Sequence, residues 1–358
     1  MPFAFQIFEP DGRNAFSGQL DELAARLAAW LAGDGRGARR LVQARVYLTD
    51  MANWLDAFRA HELYAGCLSR VGVSLVGQPP LGGAKVALQV CAVADGEAVV
   101  RREDDSFVVE HGGVTYLWQS VRLAAAEARG LDARQQTRLI FSRHIGTLKR
   151  RGWNLLDNCL RTWIYVRDID LNYAEVVAGR NEVFAEEGLT PATHFIASTG
   201  IGGENEEPAA LVAIDFLSVA GLPARAVSYL QAPAFLNPTY EYGVAFERAT
   251  AVAYEDARMV LVSGTASIDR EGRCLHRGDV LTQAGRLLLN VGKLIEAAGG
   301  DLKDLLYVVA YLRDVSDAPA LREYMRLRFP RLPFLLVEGR VCRSEWLVEM
   351  EGIASVRS

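Results

Sequence analysis

The chain has 358 residues, of which 50% are hydrophobic and 23% charged, with a formal net charge of −5. That length allows two or three domains around a sizeable core. The acidic balance speaks against a general nucleic-acid or polyanion binder, yet leaves room for a local arginine pocket holding a small anion. The longest apolar run, LLYVVAYL at 305–312, is too short to span a bilayer, and the opening MPFAFQIFEPDGR lacks the basic stretch and apolar core of a signal peptide. Five cysteines lie far apart and five histidines are scattered, without metal-ligand spacing. The expectation is a reducing cytoplasm, no membrane, no metal and no cofactor.

From the N-terminus, FAFQIFEPDGRNAFSG reads as a hairpin with EPDG at its turn. LDELAARLAAWLAG follows with apolar residues at helical spacing, then a strand ending RVYLTD at Asp50, a second helix in MANWLDAFRAHELYAGCL and a final strand KVALQVCAV. The same order returns. SFVVEHGGVTYLWQ is a hairpin around HGG, ARQQTRLIFSRHIGTLKRRG a helix, WIYVRD a strand ending at Asp168, DLNYAEVVAGRNEVFAEEG a helix and LVAIDFLSV a strand. A third round runs through ATAVAYEDARMVLVSG, VLTQAGRLLLNVGKLIEAAGG, VAYLRD ending at Asp314, SDAPALREYMRLRF and LVEMEGIAS. A period of about 120 to 145 residues is too long for a solenoid. The expected fold is therefore α+β, with three modules at 1–98, 99–235 and 236–358 packed face to face as an intrachain pseudo-trimer that needs no further copy and is compatible with a monomer.

The final strand of the third module carries Glu349 and Glu351, which leave on one face at strand period two. Aligning the repeats sets Glu351 opposite Asp215 and Gln89, a polar position common to all three, as at an interface. Glu349 falls opposite Ala213 and Ala87 and is peculiar to the third module. Flanked by Trp346, Leu347, Val348 and Met350, its carboxyl should be desolvated and hold a proton near neutral pH, the property of a general acid. Its bland alternative is a solvated or salt-bridged strand residue.

Candidate anion-binding groups are Arg340 and Arg343 in EGRVCRSEW, Tyr240, Tyr242 and Arg248 in NPTYEYGVAFERAT, and Arg161 in NCLRTWIYVRD. Each arginine reads equally as a turn or surface residue. The stretch ASTGIGGEN, 197–205, is no P-loop; it reads as a loop whose N–H groups, with Ser198, Thr199 and Gly200, could cradle an anion. Trp153, Trp163 and Tyr165 fit either pocket or core.

Each module resembles the RidA/YjgF family, the third most closely through VLVSGTASIDREG, AGRLLLNVGKLIEAAGGDLKDLLYVVAYLRD and LVEMEGIA. The arginine that the imine-hydrolysing members carry in a Pro-Ala-Arg stretch is missing: Pro333-Phe334-Leu335 stands there, Pro191-Ala192-Thr193 is read as its counterpart in the second module, and QPPLGG in the first. ASTGIGG, LNPTYEYGVAFERATAV, VSGTASIDREG and VCRSEWLVEME together are similar to the chorismatases, the chorismate-converting branch of that fold. The resemblance implies chorismate as a small-molecule substrate, release of pyruvate, no cofactor, and Glu349 as the acid that protonates the enolpyruvyl methylene. Cys342 matches the cysteine of hydroxybenzoate-forming members, whereas Ala249 looks more like the hydrolytic branch that yields a dihydrodiol. The resemblance favours 3-hydroxybenzoate, with 4-hydroxybenzoate as a second product. An imine deaminase and a non-catalytic binding protein are the competing classes.

Overall fold

The computed structural model describes residues 1–33, 37–96, 98–103 and 105–357. The first module contains β1 (Phe3–Phe8), α1 (Phe16–Ala32), β2 (Arg39–Leu48), α2 (Met51–Ala60), β3 (Gly72–Gly77) and β4 (Val86–Ala94). The second contains β5 (Val99–Glu103), β6 (Ser106–His111), β7 (Val114–Val121), α3 (Ala125–Ala128), α4 (Ala133–Arg150), α5 (Leu155–Asn158), β8 (Cys159–Val166), α6 (Ile169–Glu186), β9 (Ala197–Gly202) and β10 (Val212–Ala220). The third contains β11 (Val227–Leu230), β12 (Ala249–Ala253), β13 (Ala257–Ala266), α7 (Val280–Glu296), β14 (Leu305–Leu312), α8 (Ala318–Arg328), β15 (Phe334–Glu338) and β16 (Val348–Arg357). The third sheet thus begins at β11, ahead of residue 236.

Each sheet has the same heart. The order is β1-β4-β2-β3 in the first, β5-β6-β7-β10-β8-β9 in the second and β11-β12-β13-β16-β14-β15 in the third. The strand ending in Tyr-x-x-Asp (β2, β8, β14) lies between an antiparallel final strand and a parallel edge strand. Its aspartate starts the next helical segment: Asp50 accepts from Asn53 N and Asp314 from Ser316 N, each satisfying an orphan donor at a helix start.

The first module departs from the expected hairpin. After EPDG the chain does not return as a strand, because Phe16, Leu20, Leu23 and Leu27 recur at helical spacing and bury themselves. In the second module the HGG turn does join β6 to β7, with Gly112 and Gly113 both at positive φ, the backbone such a tight hairpin requires. ASTGIGG is a further correction: Ala197–Gly202 is not a loop but strand β9, paired in parallel with β8, and the N–H groups of Ser198 and Gly202 reach across to the third module.

Central strands are buried on both faces. In β4, Ala87, Cys91 and Val93 enter a core shared by all three modules, while Val86, Leu88 and Val90 pack on the first module's helices. Three equivalent backbone hydrogen bonds close the ring of modules: Gly77 N to Glu204 O (2.9 Å), Gly202 N to Arg340 O (2.9 Å) and Glu338 N to Pro79 O (2.8 Å). The donors occupy one register position, opposite Leu48, Val166 and Leu312. The chain is a pseudo-trimer.

Candidate active site

Register fixes which residues of the three modules correspond. Glu349 lies opposite Tyr311, Ala213 opposite Tyr165 and Ala87 opposite Tyr47, each tyrosine being that of the Tyr-x-x-Asp strand end. A carboxyl therefore stands at this position in the third module where the other two have a methyl. Glu349 is 4% exposed. Among the described residues its carboxyl has no hydrogen-bond or ion-pair partner within the protein. Burial raises it first, the nearby Glu351 carboxylate raises it further, and Arg161 and Arg248 pull only partly the other way, so it is pushed up to about 8.

The seat for that carboxyl is a bulge. β13 and β16 lose register between Val262 and Thr265, and Gly264 stands in the gap. A Cβ on Gly264 would overlap Glu349 Oε1. Gly264 N donates to Thr199 Oγ1 (3.0 Å), and Ser198 N donates to Ser263 Oγ (2.9 Å), so β9 of the second module holds the bulge in place.

Glu349 faces a cavity of about 400 Å³ between the second and third modules. Ser198, Gly200, Arg248, Cys342 and Arg343 share that cavity with it. Arg248 is buried, its Nη2 donating to Asn237 O at 2.9 Å, whereas Arg343 is exposed at the rim with its guanidinium over Trp346. Burial pushes the Cys342 thiol up to about 12, with the Glu349 charge acting in the same direction; the group is a neutral thiol, unsuited to act as a thiolate nucleophile.

The other candidates lie elsewhere. Arg161 and Thr199 are behind the pocket wall, both engaged by Glu351: Arg161 Nη2 sits 2.6 Å from Glu351 Oε2, which also accepts from the Thr199 hydroxyl. Ala249 is fully buried in the ladder between Leu230 and Val262. Tyr240 is exposed outside the cavity with its ring near Phe195, and the side chain of Tyr242 lies outside the described residues. Arg340 pairs with Asp170 at the surface. Trp163 and Tyr165 belong to the shared core, and Trp153 packs on the second module's helices. Register also moves the counterpart of Leu335 from Thr193 to Thr199, and in the first module to Ser74, so none of the three positions holds an arginine.

Helix α6 brings groups that the repeat comparison missed. Tyr173, Val177 and Arg180 line the cavity, and Arg180 is 2% exposed. Their spacing of four and three residues places them on one helix face, a signal that a stripe containing a buried arginine could have supplied. Gly200 has no Cβ where one would press on Tyr173 at 3.1 Å.

Residues 246–356 match the family model Endoribonuclease L-PSP. The 3-aminoacrylate deaminase RutC of Acinetobacter baylyi is 30% identical over 100 residues, 27% of this chain and 79% of that protein. The chain belongs to the RidA-like L-PSP family. The 3-hydroxybenzoate synthase of Streptomyces hygroscopicus is 28% identical over 274 residues, covering 68% of this chain and 78% of its own. A chorismatase crystal structure superposes with a TM-score of 0.68 at 20% identity, covering 98% of both chains. Within the L-PSP family, the chain has the three-module architecture of the chorismatases, and its cavity lies where two of those modules meet. Among the described residues no helix is long and apolar enough to cross a membrane, and no cluster of histidine, cysteine and carboxylate side chains could hold a metal ion.

Proposed function

We propose that the chain is a chorismatase that cleaves the enolpyruvyl ether of chorismate, releasing pyruvate and 3-hydroxybenzoate, with 4-hydroxybenzoate as a second product. The observation that carries this reading is Glu349, a buried carboxyl raised to about 8 and facing a cavity that Arg180, Arg248 and Arg343 also line. A dianion with two carboxylates suits several guanidinium forks in one cleft. A neutral carboxylic acid beside the enol ether suits protonation of its terminal methylene, which generates an oxocarbenium ion; the ring C–O bond then breaks, its electron pair completing the keto group of the departing pyruvate.

Atom balance separates the product classes. Hydroxybenzoate and pyruvate together hold the atoms of chorismate, so the proton delivered to the methylene is matched by one the ring gives up on aromatising, and no net water is consumed. Hydrolysis to the diol consumes one water. Cys342 supports the aromatising branch because it lines the cavity as a neutral thiol, whereas Ala249 is buried away from it. The name of the Streptomyces relative agrees with that choice. Imine hydrolysis finds less support, because Ser74, Thr199 and Leu335 occupy the arginine positions.

Incubating the purified protein with chorismate should give pyruvate and hydroxybenzoate in equal amounts, with chromatography resolving the 3- and 4-isomers. Pyruvate with a non-aromatic diol would move the enzyme to the hydrolytic branch. No pyruvate would overturn the reading.

A further inference from the structure

Glu351, two residues beyond the proposed acid, faces the pseudo-threefold centre and is 2% exposed. Its Oε2 accepts from Arg161 Nη2 (2.6 Å) and from the Thr199 hydroxyl, and its Oε1 from Trp163 Nε1 (3.0 Å) and Tyr311 OH (3.0 Å). Arg45 of the first module closes the set, with Nη1 3.5 Å from Oε1. Both guanidinium groups stack on Trp163, at 4.6 and 4.8 Å from its ring centre. All three modules thus meet on one carboxylate. Thr199, which donates to Glu351, accepts from Gly264 N at 3.0 Å. A continuous chain of contacts runs from Glu351 through Thr199 to the bulge under Glu349.

We infer that Glu351 is a positioning residue for Glu349: it fixes the Gly264 bulge on which the acid rests, and its buried negative charge favours the neutral form of that acid. The inference rests on the proton-donor role proposed above for Glu349. Acting against it are the positive charges of Arg161 on β8 and Arg248 ahead of β12, while Arg180 and Arg343 also face the cavity. The titratable groups Tyr173, Tyr311 and Cys342 also face Glu349, with Cys342 neutral beside it. Glu351 is the negative charge that opposes the arginines. Without it, two guanidinium groups buried behind the pocket wall would draw the proton off Glu349, leaving a carboxylate that could not donate.

The test needs no substrate. The protonated carboxyl of Glu349 is followed by infrared titration of the full chain, its band assigned by loss in Glu349→Gln. Glu351→Gln should lower the titration midpoint by about one pH unit or more, and Glu351→Asp, which keeps the charge, should restore most of that shift. Should Glu351→Gln fail to fold, Thr199→Val decides alone: it cuts the hydrogen-bonded link from Glu351 to the Gly264 bulge and should lower the midpoint by about one unit as the loosened carboxyl gains solvent. A midpoint that stays put in the folded variants would overturn the inference and leave Glu351 a purely structural residue. Failure to cleave chorismate would sink the proposed substrate without affecting this titration, so the two outcomes are separable.

Discussion

Two inter-module clefts of this chain are built at equivalent positions and do opposite things to a buried acid. Between the first and second modules, Asp215 accepts from Ser74 Oγ at 2.6 Å and pairs with Arg122 at 3.0 Å and Arg45 at 3.4 Å. Burial acts to raise Asp215, but Arg122 and Arg45 outweigh it and hold the carboxyl below its ordinary value. Between the second and third modules, Glu351 takes the place of Asp215, and Thr199 that of Ser74. That cleft adds a second acid, Glu349, where the other has Ala213. Here burial and a like charge win, and the carboxyl is raised to about 8. The lesson is that a buried acid holds its proton when it lacks a cationic partner: the fully paired carboxylate is tied into the module contacts, and the one next to it without such a partner has the property the proposed proton donor needs. At the third junction Gln89 and Ala87 hold the two corresponding positions, so neither is an acid, and Phe5 packs on Tyr307.

The comparison is broken most directly at Glu349. Glu349→Gln should reduce pyruvate release from chorismate by roughly 10²–10⁴-fold, since it removes the proton and keeps the shape. The sign of the pH dependence follows from the same group. Only the protonated acid can donate, so wild-type kcat/KM should be level below about 8 and fall above it. A wild-type rate that continues to rise through that pH would remove Glu349 from the donor role.

Placing a glutamate in the other cleft sharpens the contrast. Ala213→Glu in a Glu349→Gln background should release no pyruvate and should cost about 2–4 kcal/mol in denaturant unfolding, because the new carboxyl enters a site that is 1% exposed. Any pyruvate from that double variant would mean that the acid alone, rather than its cavity, makes the site. The mildest probe is the seat. Gly264→Ala should leave the fold intact by thermal unfolding yet lower the rate about tenfold to a hundredfold, because the added methyl displaces the Glu349 carboxyl. An unchanged rate would show that the bulge does not position the acid.

Much of this was legible before any fold was known. Aligning the three final strands set Glu349 against Ala213 and Ala87, and Glu351 against Asp215 and Gln89; the strand register gives the same correspondences. Strand period and repeat spacing are local properties, so they survive in the sequence. The fates of individual arginines were not legible. Arg161 looked as suitable for a substrate as Arg248, yet one is held by Glu351 and the other lines the cavity. The carboxylate that holds Arg161 stands 190 residues away in sequence and the carbonyl that holds Arg248 only 11, and nothing in the local pattern announces the longer pairing. ASTGIGG was misleading for a related reason: a parallel edge strand rich in glycine has the composition of a loop until its neighbour β8 supplies the ladder.

What the sequence determined by itself was the module, its threefold repetition and the one module whose final strand carries an extra carboxyl, because these follow from side-chain periodicity within short segments. Which cleft holds the cavity was decided only when the modules closed into a ring, since its wall combines β9 and α6 of the second module with β13 and β16 of the third. The same closure separated the two glutamates of β16, leaving Glu351 among donors from all three modules and Glu349 without one among the described residues. Burial, neighbouring charge and hydrogen bonding set the chemistry of a carboxyl, and all three depend on distances that exist only in the folded chain.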